Sequence, residues 1–326
     1  MAFRLHLVPV HTSIDFFRLQ FVTFGASIVA ILLSFVSLAV FGLNFGIDFR
    51  GGTTIRTESA LAVDVAAYRS ALDPLGLGDV TISQVFDPSF RADQNVVQIR
   101  IQAQQGSEAL SPERVDQVKA ALATVDPQIK FTSVESVGPK VSGELIWSAL
   151  LAIGAGTLGI MIYVWLRFEW QFAVGTVAAL LHDVIATVGV FSFFQIKFDL
   201  TIVAALLTIL GYSMNDTVVI FDRLRENLMK YKSMPLRDMM NLTANETLSR
   251  TVMTATTTLL ALAALLVFGG DVIRGFVFAM IFGVFVGTYS TLYVAKNIVL
   301  FLGVKREWGK PAEKGPSGTQ FVSGGK

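Results

Sequence analysis

The residues of this chain that could do chemistry are ionisable side chains set inside apolar runs. Residues 211–216 read Gly-Tyr-Ser-Met-Asn-Asp and lie within the apolar run 200–221. Asp216 falls about two turns from the end of that run. A charge at the centre of a bilayer costs about 2.5–3.5 kcal/mol on insertion scales, so a carboxyl kept there calls for a reason. A carboxyl in an apolar setting resists ionisation and can exist in either protonation state, which is what a proton-coupled device needs. Tyr212 stands four residues earlier on the same helical face, and Asn215, Val219 and Asp222 form an adjoining stripe. The plainer reading of Asp216 is an interhelical hydrogen bond worth about 1 kcal/mol, although Ser or Asn would supply one at lower cost. Asp222 and Arg223 read as the interface that ends the span.

A second deep carboxylate, Asp183, follows His182 in the middle of the apolar run 172–194. Adjacent side chains on a helix diverge by about 100°, so the two need not share a partner. A titrating His–Asp relay and a buried structural pair are both compatible with the sequence. Arg250 opens the run 251–268, and Arg250, Thr254, Thr257 and Thr258 recur at helical spacing. From that face Arg250 could reach the ionised form of Asp216. By position alone an ordinary basic anchor is the better reading, and the threonines serve equally as interhelical glue. Gly283 and Gly287 form a small-residue pair suited to close helix packing.

The elements that must position these residues are membrane helices. Hydrophobic residues make up 53% of the 326, and the excess sits in long blocks rather than in alternating runs. A span needs roughly 20 mostly apolar residues, and six runs qualify: 21–43, 145–166, 172–194, 200–221, 251–268 and 275–302. The first is too long before its Ser37 and Ala39 pair to be a cleaved leader, so it reads as an uncleaved span. The last is long enough to tilt, with Lys296 expected to snorkel near its end. Basic residues crowd the segment between the fourth and fifth runs and the tail after 303, whereas the opposite short loops hold only Lys197 and Arg274. The positive-inside rule therefore puts both termini, 1–20 and 303–326, in the cytoplasm, with 44–144 outside.

That insert has the pattern of a small α+β domain. Strands are expected at 53–57, 80–86, 96–103 and 129–137, and helices at 63–72 and 112–125, the latter capped by Ser111 with Pro112 in its first turn. The order β-α-β-β-α-β is the ferredoxin-like, split-βαβ arrangement. The insert has no phosphate-cradling loop, nucleophile–base set or basic patch, so a docking module is expected rather than an enzyme or a nucleic-acid binder. There are no cysteines, and the three histidines, His6, His11 and His182, form no close-spaced metal motif. No cofactor is implied.

Several segments together resemble one family. Residues 42–52 read GLNFGIDFRGG after the first span; further matches are 137–145, 167–170, His182-Asp183, 198–201, 211–216, 221–226, 248–251 and 287–290. In order and spacing these resemble the SecD/SecF family over about residues 20 to 304, and the single insert with six spans resembles its single-insert subunit. The resemblance implies membership of the resistance-nodulation-division superfamily and a twelve-span pseudo-symmetric assembly with SecD. It also implies work beside the SecYEG channel on a translocating polypeptide, driven by the proton-motive force. Carried over by motif, the implied proton-coupling residues are Asp216 and Arg250, with Thr254 nearby. His182 and Asp183 are further relay candidates. Asp48, Gly51 and Gly52 belong to the signature after the first span, with the glycines a candidate hinge. Tyr212, Asn215, Gly283 and Gly287 are the expected polar and packing positions. Membrane lipids are the remaining contact. Two rivals are a superfamily exporter of lipids or small hydrophobic molecules, for which about 100 outer residues seem few, and a structural subunit that leaves proton work to SecD.

Overall fold

A computed structural model describes residues 9, 12–59, 63–85, 94–102 and 110–304. His6, His11 and the tail after 304 lie outside the described residues, as do Phe86 and Ala103 at the ends of two expected strands. Among the described residues, six helices are long and apolar enough to cross a membrane. In chain order they are α1 (Gln20–Phe41), α5 (Pro139–Arg167), α6 (Trp170–Phe193), α7 (Leu200–Lys230), α8 (Leu236–Phe268), and a last span of α9 (Asp271–Ser290), a π-helical turn (Thr291–Ala295) and α10 (Lys296–Leu302). Of their most apolar windows, α6 and the last span bury 56% and α7 50%, against 17% for α1, 11% for α8 and none of α5. The residues of interest on α6, α7 and α9 thus sit on the central helices.

Close approach of those helices follows from small residues. A Cβ on Gly283 would run into Ile209 of α7, and one on Gly287 would lie 3.0 Å from the Ser213 Cβ. Two apolar clusters fill the bundle. One at the sheet end gathers Phe49, Phe191, Phe198, Ile202 and Met280. The other, at the opposite end, gathers Phe17, Phe172, Phe221, Met239 and Val299.

Between α1 and α5 the chain forms α2 (Ile47–Arg50), β1 (Gly52–Ser59), α3 (Val65–Leu72), β2 (Val80–Val85), β3 (Asn95–Gln102), α4 (Pro112–Val125) and β4 (Lys130–Val137). The strands form one sheet in the order β2-β3-β1-β4, every neighbouring pair antiparallel. The expected sequence of elements is the one observed, with Asp64 capping α3 and the Ser111 hydroxyl capping α4 through the Arg114 N–H. Ile55, Val97, Ile99 and Ile101 on one face of the sheet pack with Tyr68, Val118 and Leu122 of the helices. Thr54, Arg56, Gln98, Ser133 and Glu135 on the other face turn toward the bundle.

Two observations go beyond the expected spans, and one expectation needs correction. The helix of the fourth span does not stop at Asp222 and Arg223: α7 continues to Lys230, and α8 begins at Leu236, well before residue 251. Hydropathy detects only apolar turns, whereas polar pairs carry the helices on past them. Arg223 bonds Glu246 at 2.8 Å and Glu226 at 2.6 Å, and the Asn227 amide donates to Thr243 at 3.0 Å and Glu246 at 2.8 Å. The last span is not one regular helix, because the π-turn interrupts it. Nor does Lys296 snorkel: it is 1% exposed, with its ammonium over the rings of Phe16 at 4.8 Å and Phe17 at 4.1 Å. Those rings lie just before α1, in a segment held by Asn241 and Asn245 of α8, whose side chains bond the backbone of Ile14 and Phe16 at 2.8–2.9 Å.

Candidate functional site

On α7 the polar residues of one helical turn divide between two faces. Ser213 and Thr217, four residues apart, point to α6 and to the last span. The Ser213 hydroxyl donates to Asp183 Oδ2 at 2.7 Å, and Thr217 and Thr291 share a hydrogen bond of 2.9 Å. Asp216, between them in sequence, turns the other way and is 3% exposed. The charge of Arg250 acts on its carboxyl, and the Thr254 hydroxyl stands beside it, both from α8. That hydroxyl donates to the Thr251 carbonyl of its own helix at 2.9 Å. Among the described residues, Oδ2 of Asp216 is buried without a hydrogen-bond partner.

Asp183 has the opposite surroundings. It is fully buried, and Oδ2 takes a second hydrogen bond from Ser290 at 2.9 Å while Oδ1 meets His182 Nδ1 at 3.1 Å. The neighbouring side chains that helical geometry left free to diverge therefore meet each other. All three groups around Asp183 can donate, a set that suits a carboxylate. His182 stacks on Tyr289 with ring centres 6.1 Å apart, and the Tyr289 hydroxyl donates to the Thr23 carbonyl at 2.6 Å. This polar thread joins α6, α7 and α9 to α1. Ser213 and Ser290 were given no role from the sequence. Their signal was present in the spacing, since Gly287, Ser290 and Thr291 share one face of the last span.

At the end of the bundle away from the sheet, Arg250 lines a cavity of about 550 Å³ together with Tyr163, Arg167, Asp222, Arg223 and Glu246. Arg167 pairs with Asp222 there at 3.1 Å. Arg250 itself is exposed, so it stands between this opening and Asp216. The other expected positions separate. Among the described residues the Tyr212 hydroxyl is buried without a hydrogen-bond partner, while Asn215 is exposed on the outside of α7. Asp48, Gly51 and Gly52 are at the far end, where Asp48 accepts a hydrogen bond from the Leu200 N–H at 3.1 Å.

Two family models match the chain: one described as "Protein export membrane protein SecD/SecF, C-terminal", over residues 117–305, and one as "SecD/SecF GG Motif", over residues 36–59. The chain belongs to the SecD/SecF family. It is 67% identical over 323 residues to the protein translocase subunit SecF of Cereibacter sphaeroides, covering 99% of each. To the SecF of Rhodobacter capsulatus it is 64% identical over 330 residues, covering 99% of this chain and 98% of that one. A crystal structure of SecDF from Thermus thermophilus, described as a translocon-associated membrane protein, superposes with a TM-score of 0.79 at 34% identity. That match covers 91% of this chain but 39% of the SecDF chain. The likeness carried by residues 42–52, 211–216 and 248–251 is thus a family relationship. The chain is a translocase subunit of the SecF kind, a multi-pass membrane protein with six apolar spans and a small antiparallel sheet domain.

Proposed function

We propose that this chain uses the proton-motive force to assist protein export beside SecYEG as the partner of SecD. Both termini are cytoplasmic, and the sheet domain, which we assign to the ferredoxin-like class, lies in the periplasm of the inner membrane. Asp216 is the proton-accepting group, Arg250 its charged partner, and Thr254 a hydroxyl that can turn from its own helix to the carboxyl. The observation that carries this reading is the contrast between two buried carboxylates. Asp183 is surrounded by donors, whereas Oδ2 of Asp216, opposite an arginine, has no hydrogen-bond partner among the described residues. A proton arriving from the periplasm neutralises Asp216 and weakens its hold on Arg250. The helices repack, the sheet domain shifts its hold on an emerging polypeptide, and release of the proton past Arg250 to the cytoplasm resets the pair. The field supplies about 2.3 kcal/mol per charge per 100 mV, enough to bias a two-state element. His182 and Asp183 frame this switch, fixing the α7 face that bears Ser213. No covalent catalysis is part of the cycle.

SecD is the partner that covers the outer face of α7. Ala204, Thr208, Gly211 and Asn215 recur there at helical spacing, all exposed, and an exposed Asn in a span is costly against lipid. Export of a secreted protein into inverted vesicles, with and without a proton gradient, tests the whole reading. Asp216→Asn should abolish the gradient-dependent stimulation and leave the basal export. Full stimulation in that variant would remove Asp216 from the mechanism.

A further inference from the structure

The segment between α1 and β1 is clasped to the start of α7. Phe45 and Phe198 form a parallel bridge, in which the Gly46 N–H donates to the Phe198 carbonyl at 2.7 Å and the Phe198 N–H to the Asn44 carbonyl at 2.8 Å. The Asn44 side-chain amide adds a bond to the Gln195 carbonyl at 2.9 Å. The fit at Gly46 is tight, since a Cβ there would lie 3.0 Å from Lys197 and 3.1 Å from Asp199. Phe45, Phe49 and Phe198 stack around the joint with ring centres 5.7–6.1 Å apart. Asp48 completes it. Asp199 caps its own helix through the Thr201 N–H, and Asp48 reaches across from α2 to take the Leu200 N–H. The first two donors of α7 are therefore satisfied by carboxylates from two different parts of the chain, both favourably placed at the positive end of the helix.

Little chain separates this joint from the sheet. Gly51 follows α2 at φ 73°, and Gly52, at φ 130°, is already the first residue of β1, opposite Gln102 and Val137. Side chains would strain both positions. Beyond them the polar face of the sheet stands off from the bundle across a cavity of about 610 Å³, lined by Arg56 and Glu135 on one side and Lys197 and Arg274 on the other. The sheet has room to move, and it meets the start of α7 through the clasp and through Arg100 of β3, whose charge faces Asp199 and Asp48.

We propose that residues 44–51 are the coupling joint between α7 and the sheet domain, with Asp48 as its positioning residue and Gly51–Gly52 as the pivot. A shift of α7 that begins at Asp216 is delivered through Asp48 to β1. This rests on the proton reading above for its driving force, but the joint can be tested without it. The chain has no cysteines, so spin labels at Asp116→Cys on α4 and Phe194→Cys, both exposed, report the distance between sheet domain and bundle in the full chain assembled with SecD in liposomes. Asp48→Ala should broaden the distance distribution and raise hydrogen exchange at the Leu200 amide roughly fivefold, the effect of losing a cap. Asp48→Asn keeps an acceptor oxygen and should restore both. Asp216→Asn should shift the mean distance with Asp48 present and not with Ala at 48. An unbroadened distribution and unchanged exchange in Asp48→Ala would overturn the joint. A broadened distribution with no shift from Asp216→Asn would uphold the joint and reject the proton reading alone. A shift that persists in Asp48→Ala would show that coupling bypasses the clasp.

Discussion

Replacing Ser213 by Ala removes one of the donors to Asp183 and leaves the packing of α7 nearly unchanged. The bond is short, 2.7 Å, and buried. Hydrogen bonds between membrane helices average about 0.6 kcal/mol and reach about 1.7, and one to a fully buried carboxyl belongs near the upper end. Ser213→Ala should therefore cost about 1–1.5 kcal/mol. Asp183→Leu removes the acceptor of the Ser213 hydroxyl, of the His182 nitrogen and of the Ser290 hydroxyl, which keeps the Gly287 carbonyl of its own helix at 3.1 Å, so about 2–4 kcal/mol is expected. The two changes share a contact and will not add. Their double-mutant cycle should give a coupling of about 1 kcal/mol, measured by reversible unfolding in mixed micelles. Because Ser213 lies three residues before Asp216 on the same helix, Ser213→Ala should also lower gradient-driven export without abolishing it. Strict additivity would refute the claim that Asp183 holds α7 through Ser213.

Other outcomes follow from the packing and the sheet domain. Gly283→Val drives a side chain into Ile209 and should destabilise the bundle by about 1–3 kcal/mol in the same unfolding assay. Burial, with Asp126 beside it, pushes the Tyr68 hydroxyl up to about 12 from its ordinary 10.0. The folded domain then holds that proton more tightly than the unfolded chain. This contribution is intact below pH 10 and lost as the pH rises toward 12, so unfolding followed at α4 should show a fall over that window that Tyr68→Phe removes. Asn215→Leu should loosen co-purification with SecD, because its amide is exposed on that face of α7, whereas the Thr208 hydroxyl there already bonds the Ala204 carbonyl at 2.8 Å.

Much of this architecture was legible in the residues. Apolar length alone located six spans, and Ser111 followed by Pro112 fixed the start of α4 because cap chemistry is local. The order of strands and helices in the insert came from short alternating runs between turn residues. What hydropathy could not reach was the polar continuation of α7 and α8. Arg223, Glu226, Asn227, Thr243 and Glu246 look like loop residues until the two helices are paired. The uninterrupted stretch from 236 to 268, without Gly or Pro, was the available signal. The site was half legible. A carboxyl inside an apolar run is conspicuous, so Asp216 and Asp183 stood out. Their difference was not, since it depends on hydroxyls from Ser213 and Ser290 that meet only in the folded bundle. Lys296 failed for the same reason: its partners, Phe16 and Phe17, are some 280 residues away in sequence.

The central claim is that the carboxyl of residue 216 changes protonation state during the cycle. Infrared difference spectroscopy of the SecD-bound chain in oriented bilayers, recorded as the periplasmic side is acidified, reads this directly. The account predicts a protonated-carboxyl C=O band that disappears in Asp216→Asn and survives in Asp183→Asn. A band that persists without Asp216, or that vanishes with Asp183, would contradict it.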